Sequence, residues 1–207
     1  DGKLDEEAFY QFLERSIGFI WAYALTNPGV NALRTPIYRE MVNIVNGLEV
    51  TFADFKFDRT NLEMIINTSQ FSNQRQITRS ILTWWAFEHP NQLLFSLDTR
   101  LDIEHIYARN RGKHETLSNE NNLELLGNKS LLEQRINIRA SDYRFADKAK
   151  YYLGSVGSDG GRKGTSIQEL QDLCTQKSDF LESDILDRNK RIVDGFCDYL
   201  DRICILK

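Results

Sequence analysis

Asp102-Ile103-Glu104-His105-Ile106 is followed by Leu126-Gly127-Asn128-Lys129-Ser130-Leu131-Leu132 and then by Asn137. An acidic residue beside a His, with two downstream Asn nine positions apart, is the residue set of a one-metal phosphodiester hydrolase. That reaction needs a base to take a proton from water and a cation to neutralise charge building on the phosphate and the leaving oxygen. His105 suits the base, because an ordinary imidazole titrates near neutrality. Mg²⁺ takes oxygen ligands and keeps several waters, so one carboxylate and one amide oxygen are sufficient from the protein. Glu104 and Asn137 supply those atoms. Asn128 is expected to tie loop to strand by hydrogen bonds and so hold the His105 backbone in place. His105 and Asn128 are therefore the candidate catalytic residues, and Glu104 and Asn137 the candidate metal ligands, with Mg²⁺ as the first choice of ion and Mn²⁺ as the second.

These residues demand a particular frame. A regular strand sends Glu104 and His105 to opposite faces, so the pair converges only where the chain bends or bulges at a strand end. The polar stretch from 108 to 122 provides that exit, and a helix over 133–140 lets Asn137 reach back. Strand, loop, strand, helix is the required order. Apolar residues at alternate positions predict extended runs over 93–97 and 101–107, with Asp98-Thr99-Arg100 as the turn between them, and 123–132 reads as the second strand.

Helices surround this segment. Phe9, Phe12, Leu13, Ile17, Ile20, Trp21 and Ala24 recur at spacings of three and four, predicting a helix over 5–25 that Asn27-Pro28-Gly29 ends. Further helices are expected over 31–46, with Pro36 near the start and Gly47 at the stop, and over 60–69 and 75–88; Thr51 to Phe57 is ambiguous. Beyond the site, helices are expected over 142–153, capped by Ser141 or Asp142, and over 166–176 and 183–205. The glycines from 154 to 161 lack the order of a phosphate loop and read as a surface loop, with Arg162 or Lys163 available to a phosphate. The expected fold class is α+β and mostly helical, with a strand, loop, strand, helix unit embedded between helical segments. Its domains are a helical lobe over 1–92, the core that carries the candidate site over 93–165, and C-terminal helices over 166–207.

Composition narrows the classes. The chain has 207 residues, 41% hydrophobic and 27% charged, which suits a compact folded body. No run of 18 apolar residues occurs, and acids stand where a secretory signal would be basic and then apolar, so a cytoplasmic protein without a membrane partner is expected. The start at Asp1-Gly2-Lys3, without an initiator Met, reads as a piece of a longer protein. Cys174, Cys197 and Cys204 lack zinc spacing and read as buried structural thiols. Net charge is -4, which argues against non-specific coating of nucleic acid. Residues 105 to 163 nevertheless carry eleven basic against seven acidic side chains, so a basic excess falls on the candidate site. Lys129, Arg139, Arg144 and Lys148 are the candidate DNA phosphate contacts, each equally readable alone as a solvated surface charge. His89 and His114 read as structural.

With these residues stated, residues 101 to 153 resemble a ββα-metal HNH nuclease, and most closely the C-terminal HNH domain of GmrSD-type modification-dependent restriction enzymes. That family's pattern is similar to E-H-I-x-P, an L-G-N-L-x-L-L strand, an Asn in the next helix, and F-x-x-K-x-x-Y. Glu104-His105-Ile106, Leu126-Gly127-Asn128, Leu131-Leu132, Asn137, Phe145, Lys148 and Tyr151 carry it here, and Ile185 and Arg188 extend it toward the C-terminus. The resemblance implies His105 as general base, Glu104 and Asn137 at the metal, and Asn128 as the middle Asn. Two positions depart from the pattern: Ala108 stands where Pro is frequent, and Lys129 where an apolar residue is common. Lys129 there either adds a phosphate contact or faces solvent.

The function implied is a metal-dependent DNA endonuclease or nickase of a bacterial anti-phage restriction system. An N-terminal sensing or NTP-hydrolysing domain would lie outside this sequence, and a homodimer is one route to double-strand cleavage. A non-catalytic DNA-binding or partner-docking module and an RNA-cleaving nuclease stay open as alternatives.

Overall fold

The computed structural model describes residues 6–27, 34–156 and 162–207. The residues from 157 to 161 of the glycine-rich segment lie outside the described residues, as do Pro28, Gly29 and the chain start. The described residues form helices α1 (Glu6–Thr26), α2 (Arg34–Val45), α3 (Arg59–Thr68), α4 (Gln76–Glu88), α5 (Arg109–Gly112), α6 (Gln134–Ala140), α7 (Phe145–Tyr152), α8 (Gln168–Gln176) and α9 (Glu182–Arg202). Strands β1 (Leu101–His105) and β2 (Lys129–Glu133) pair as one antiparallel two-stranded sheet. The fold is therefore α+β and mostly helical. No described helix is long and apolar enough to cross a membrane.

The chain divides into two compact units, one of residues 1–69 with 193–207, the other of residues 70–192. The sequence boundaries near 92 and 165 follow changes of pattern, whereas these units follow contacts. In the first unit, Phe19, Ala22, Phe52, Leu62 and Ile66 are buried, and the Phe19 and Phe52 rings stack at 4.0 Å. Asp58 caps α3 by accepting the Asn61 N–H at 2.8 Å, which explains its start. The ambiguous 51–57 segment is a turn that ends in a single bridge from Phe57 to Leu206. Of the cysteines, only Cys197 is buried; Cys174 is intermediate and Cys204 exposed, so burial of all three does not hold.

The second unit carries the sheet. α4 packs on β2, and α6 packs on both strands and on α7, which meets α8. Ile185, Arg188, Ile192 and their neighbours at helical spacing turn the first half of α9 inward, and all three are buried. Three expectations fail here. Residues 93–97 form no strand, and Leu93 and Leu94 are exposed, because no neighbouring strand takes up their backbone. Residues 120–124 and 126–128 are tight 3₁₀ turns, so the second strand begins only at Lys129. Helix α7 starts at Phe145 after Arg144, and neither Ser141 nor Asp142 caps it: Ser141 has φ +44°, a backbone outside the cap geometry.

Candidate active site

The exit from β1 is held by Asn128. Its Oδ1 accepts the Tyr107 N–H at 2.7 Å, while its Nδ2 donates to the Tyr107 carbonyl at 3.2 Å and the Leu123 carbonyl at 3.1 Å. The Ile106 N–H donates to the Asn128 carbonyl at 2.9 Å. Fully buried, Asn128 thus binds the two residues that follow His105. The turn that presents it is fixed from α9. The Arg188 guanidinium donates to the carbonyls of Leu126, Gly127 and Lys129 at 3.0, 3.0 and 2.8 Å, and Asn189 Oδ1 accepts the Gly127 N–H at 3.1 Å. Glycine is required at 127, since a Cβ there would lie 2.0 Å from the Ile185 carbonyl oxygen.

The β1–β2 ladder runs without a bulge from Leu101↔Glu133 to His105↔Lys129. The bend expected at Glu104–His105 is absent, and the two side chains take opposite faces of the strand. The physical reason lies in the groups that hold the strand end. Lys148 Nζ donates to Glu104 Oε1 and to the His105 carbonyl, both at 2.6 Å, and Asn128 continues the pairing past His105.

On the Glu104 face, the Tyr152 hydroxyl donates to the same Oε1 at 2.7 Å. Burial, then the Glu104 charge, pushes the Tyr152 phenol well above its usual pKa. Asp102 shares this face, being two residues earlier. Asn137 reaches back from α6 as anticipated, but toward Asp102: its Nδ2 donates to Asp102 Oδ2 at 3.1 Å. Among the described residues, Glu104 Oε2 and Asn137 Oδ1 accept no hydrogen bond, which leaves hard oxygen donors on this face. Among the described residues no three His, Cys, Asp or Glu side chains group as a metal site.

On the opposite face, Lys129 Nζ donates to Asn73 Oδ1 at 2.7 Å, to Glu124 Oε2 at 2.7 Å and to His105 Nε2 at 3.0 Å. Arg109 pairs with Glu124 Oε1 at 2.5 Å, and that oxygen lies 3.4 Å from His105 Nε2. Burial first, then the Lys129 and Arg109 charges, pushes the His105 pKa down to about 3. The imidazole is therefore neutral at physiological pH, with its Nε2 lone pair accepting from lysine. Burial, with the Arg109 charge, lowers the Lys129 pKa against the opposing pull of Glu124. Burial alone would raise the Glu124 pKa, but Lys129 and Arg109 hold it below the usual carboxylate range.

Two of the four candidate phosphate contacts are not on the surface. Lys129 is fully buried and Lys148 is 1% exposed, each held by internal partners, so the reading of Lys129 as a solvent-facing charge does not hold. Arg144 is exposed and paired with Glu115 at 2.5 Å, and Arg139 Nε donates to the Arg135 carbonyl at 3.1 Å. Sequence reasoning missed Asn73, Asp102, Arg109, Glu124 and Tyr152. The signal for Tyr152 was present: Phe145, Lys148 and Tyr152 fall on one helical face, and all three are buried, whereas Tyr151 is half-buried.

The fold and this site define a class: a small two-stranded sheet followed by a helix, with a His and Asn braced at the strand end. A family model, described as the C-terminal domain of GmrSD restriction endonucleases, matches residues 50–194. The chain belongs to that family. No curated protein and no solved structure matches the chain at a significant level.

Proposed function

We propose that the chain is an HNH-type nuclease domain that hydrolyses DNA phosphodiesters within a bacterial anti-phage restriction system. Family membership supports the nuclease class. The observation that carries the finer reading is the Asn128 brace, because a buried amide spent on Tyr107 is the positioning device a strand-end base requires. DNA is the proposed substrate, an N-terminal sensing or NTP-hydrolysing domain the proposed partner, and the cytoplasm the proposed compartment.

His105 is the proposed base. Its neutral imidazole carries a lone pair at Nε2, but the burial and the Lys129 charge that depress its pKa also weaken it as a base, so taking a proton from water requires the Lys129 ammonium to move off Nε2. Glu104 Oε2 and Asn137 Oδ1 fit a hard cation by donor type, and Lys148 and Tyr152 orient the Glu104 carboxylate through its other oxygen. A divalent ion, Mg²⁺ or Mn²⁺, would supply neutralisation of the phosphate charge when bound.

A supercoiled plasmid with Mg²⁺ tests this reading. The chain is expected to nick it, and His105→Ala to slow nicking by at least about 100-fold, the contribution of a positioned general base. Equal nicking by the variant would overturn the assignment. The second reading is a DNA-binding module without cleavage. It is favoured by one observation, the placement of Glu104 and His105 on opposite faces of a regular strand. DNA binding with no nicking under any divalent ion would establish it.

A further inference from the structure

The carboxylate of Glu124 is held as a phosphate would be. Its Oε2 takes the Lys129 ammonium at 2.7 Å, and its Oε1 takes Arg109 at 2.5 Å while lying 3.4 Å from His105 Nε2. Two oxygens of one anion thus face two cations and the proposed base. The position opens outward: the Arg109 side chain is 55% exposed and that of Glu124 23%, while Lys129 at 0% and His105 at 10% form the floor. Cations arranged around a partly exposed site are what an approaching phosphodiester needs. Asn73 Oδ1 fixes the Lys129 ammonium from a further direction, so the floor does not depend on Glu124 alone.

The turn carrying Glu124 is anchored independently of its carboxylate. The Glu124 carbonyl accepts the Phe71 N–H at 3.0 Å, the Leu123 carbonyl accepts from Asn128, and Asn122 Nδ2 donates to Glu182 at 2.7 Å. The side chain can therefore leave while the turn stays. We propose that Glu124 is an internal stand-in for substrate, occupying an anion position formed by His105, Arg109 and Lys129, and that a DNA phosphate displaces it. The choice of DNA rests on the nuclease reading; the anion position rests on the geometry. A latent site follows, closed to weak anions and opened by a nucleic acid that binds elsewhere on the same surface.

The test is binding without cleavage. Anisotropy of a short fluorescein-labelled DNA duplex is measured in EDTA at fixed salt, with thermal melts to verify folding. Glu124→Gln is expected to tighten binding about tenfold, a modest share of one close charge interaction at a partly exposed site. Adding Arg109→Ala is expected to remove most of that gain. Glu120→Gln, an exposed charge in the same turn, is expected to change affinity by less than about twofold. Glu124→Asp, which keeps the charge near Lys129 but shortens its reach, is expected to give about a threefold gain and serves if Glu124→Gln does not fold. Inorganic phosphate is expected to compete with the duplex more strongly in Glu124→Gln than in the unaltered chain.

Folded Glu124 variants that bind no tighter, or a gain that Glu120→Gln reproduces or Arg109→Ala leaves intact, would overturn the inference. The two readings fail separately. Tighter binding with no plasmid nicking under any divalent ion keeps the anion position and removes the nuclease. Nicking by the unaltered chain with no gain in Glu124→Gln keeps the nuclease and removes the stand-in.

Discussion

Asn128 is fully buried, and its amide answers three backbone groups that no other residue meets in the same way. Truncating it strands the Tyr107 N–H and two carbonyls away from water, at about 1 to 3 kcal/mol for each group left unsatisfied. Asn128→Ala is therefore expected to lose about 3 kcal/mol of stability, read as a lower urea midpoint with an unchanged slope. Asn128→Asp separates the two roles of the amide. It keeps the acceptor for Tyr107 but loses both donors, so it should be destabilised as well. A variant as stable as the unaltered chain would show that the brace is not holding the strand end. His105 and Glu104 depend on that brace in different ways, since the first precedes it directly and the second is tied by Lys148.

At the scale of elements, the 126–129 turn is held by a buried guanidinium. Arg188 pairs with Glu169 at 2.7 Å, and Trp85 Nε1 donates to the same carboxylate at 2.9 Å. Burial alone would raise the Glu169 pKa, but the Arg188 charge and hydrogen bond outweigh it and hold the value below the ordinary 4.5. A folded pKa below the unfolded one gives stability that is present above about pH 4.5 and is lost as pH falls through the folded value. Arg188→Met leaves an unpaired buried carboxylate, at a cost of about 3 to 5 kcal/mol near neutrality. Its Glu169 pKa then rises, so the sign reverses: protonation relieves the variant. The stability gap between Arg188→Met and the unaltered chain is expected to be widest at neutral pH and to narrow toward about pH 4, by denaturant titration across that range. A constant gap would place the stabilisation in packing and not in charge.

This element also shows what could be read in advance. The periodicity of α1, α3, α4, α6, α8 and α9 places each within a few residues of its observed bounds, but on α1 it names the wrong face: Phe9, Leu13, Ile17 and Ile20 are exposed, while Gly18, Phe19, Ala22, Tyr23 and Leu25 are buried. The start of β2 could not be read that way. Leu123, Leu125 and Leu126 give an apolar run, but Gly127 must approach the α9 backbone closely and Asn128 must turn inward, so tight turns replace the strand. The four candidate site residues were chosen by type and spacing, and of these the Asn128 contact to the chain after His105 is the one the structure displays. The groups around them were not, since Asn73, Arg109 and Glu124 are brought to His105 by tertiary packing that no local pattern encodes. The burial of Lys129 and Lys148 was not legible for the same reason: burial of a lysine depends on a partner elsewhere in the chain.

For the whole molecule, charge decides how a chain of net -4 meets a polyanion. Burial of Lys129 and Lys148 subtracts two cations from the exposed basic excess around the site, so fewer surface groups remain to attract DNA. Arg144, Arg162 and Lys163 are exposed, and Arg109 is more than half exposed. Each cation that neutralises a phosphate releases counterions, so log affinity falls with log salt at a slope near -0.9 per contact on duplex DNA. Arg144→Ala, Arg162→Ala and Lys163→Ala are expected to weaken duplex binding for every sequence and to reduce the slope by about 1 for each residue in contact. Arg144 should show the smallest effect of the three, because Glu115 already takes part of its charge at 2.5 Å. Lys148→Met should leave the slope unchanged, since its ammonium faces Glu104 and the His105 carbonyl and not solvent, while lowering thermal stability through the unpaired Glu104. A slope that falls by about 1 in Lys148→Met would mean that this lysine leaves its internal partners when DNA binds, and with it the regular end of β1 that keeps Glu104 and His105 apart.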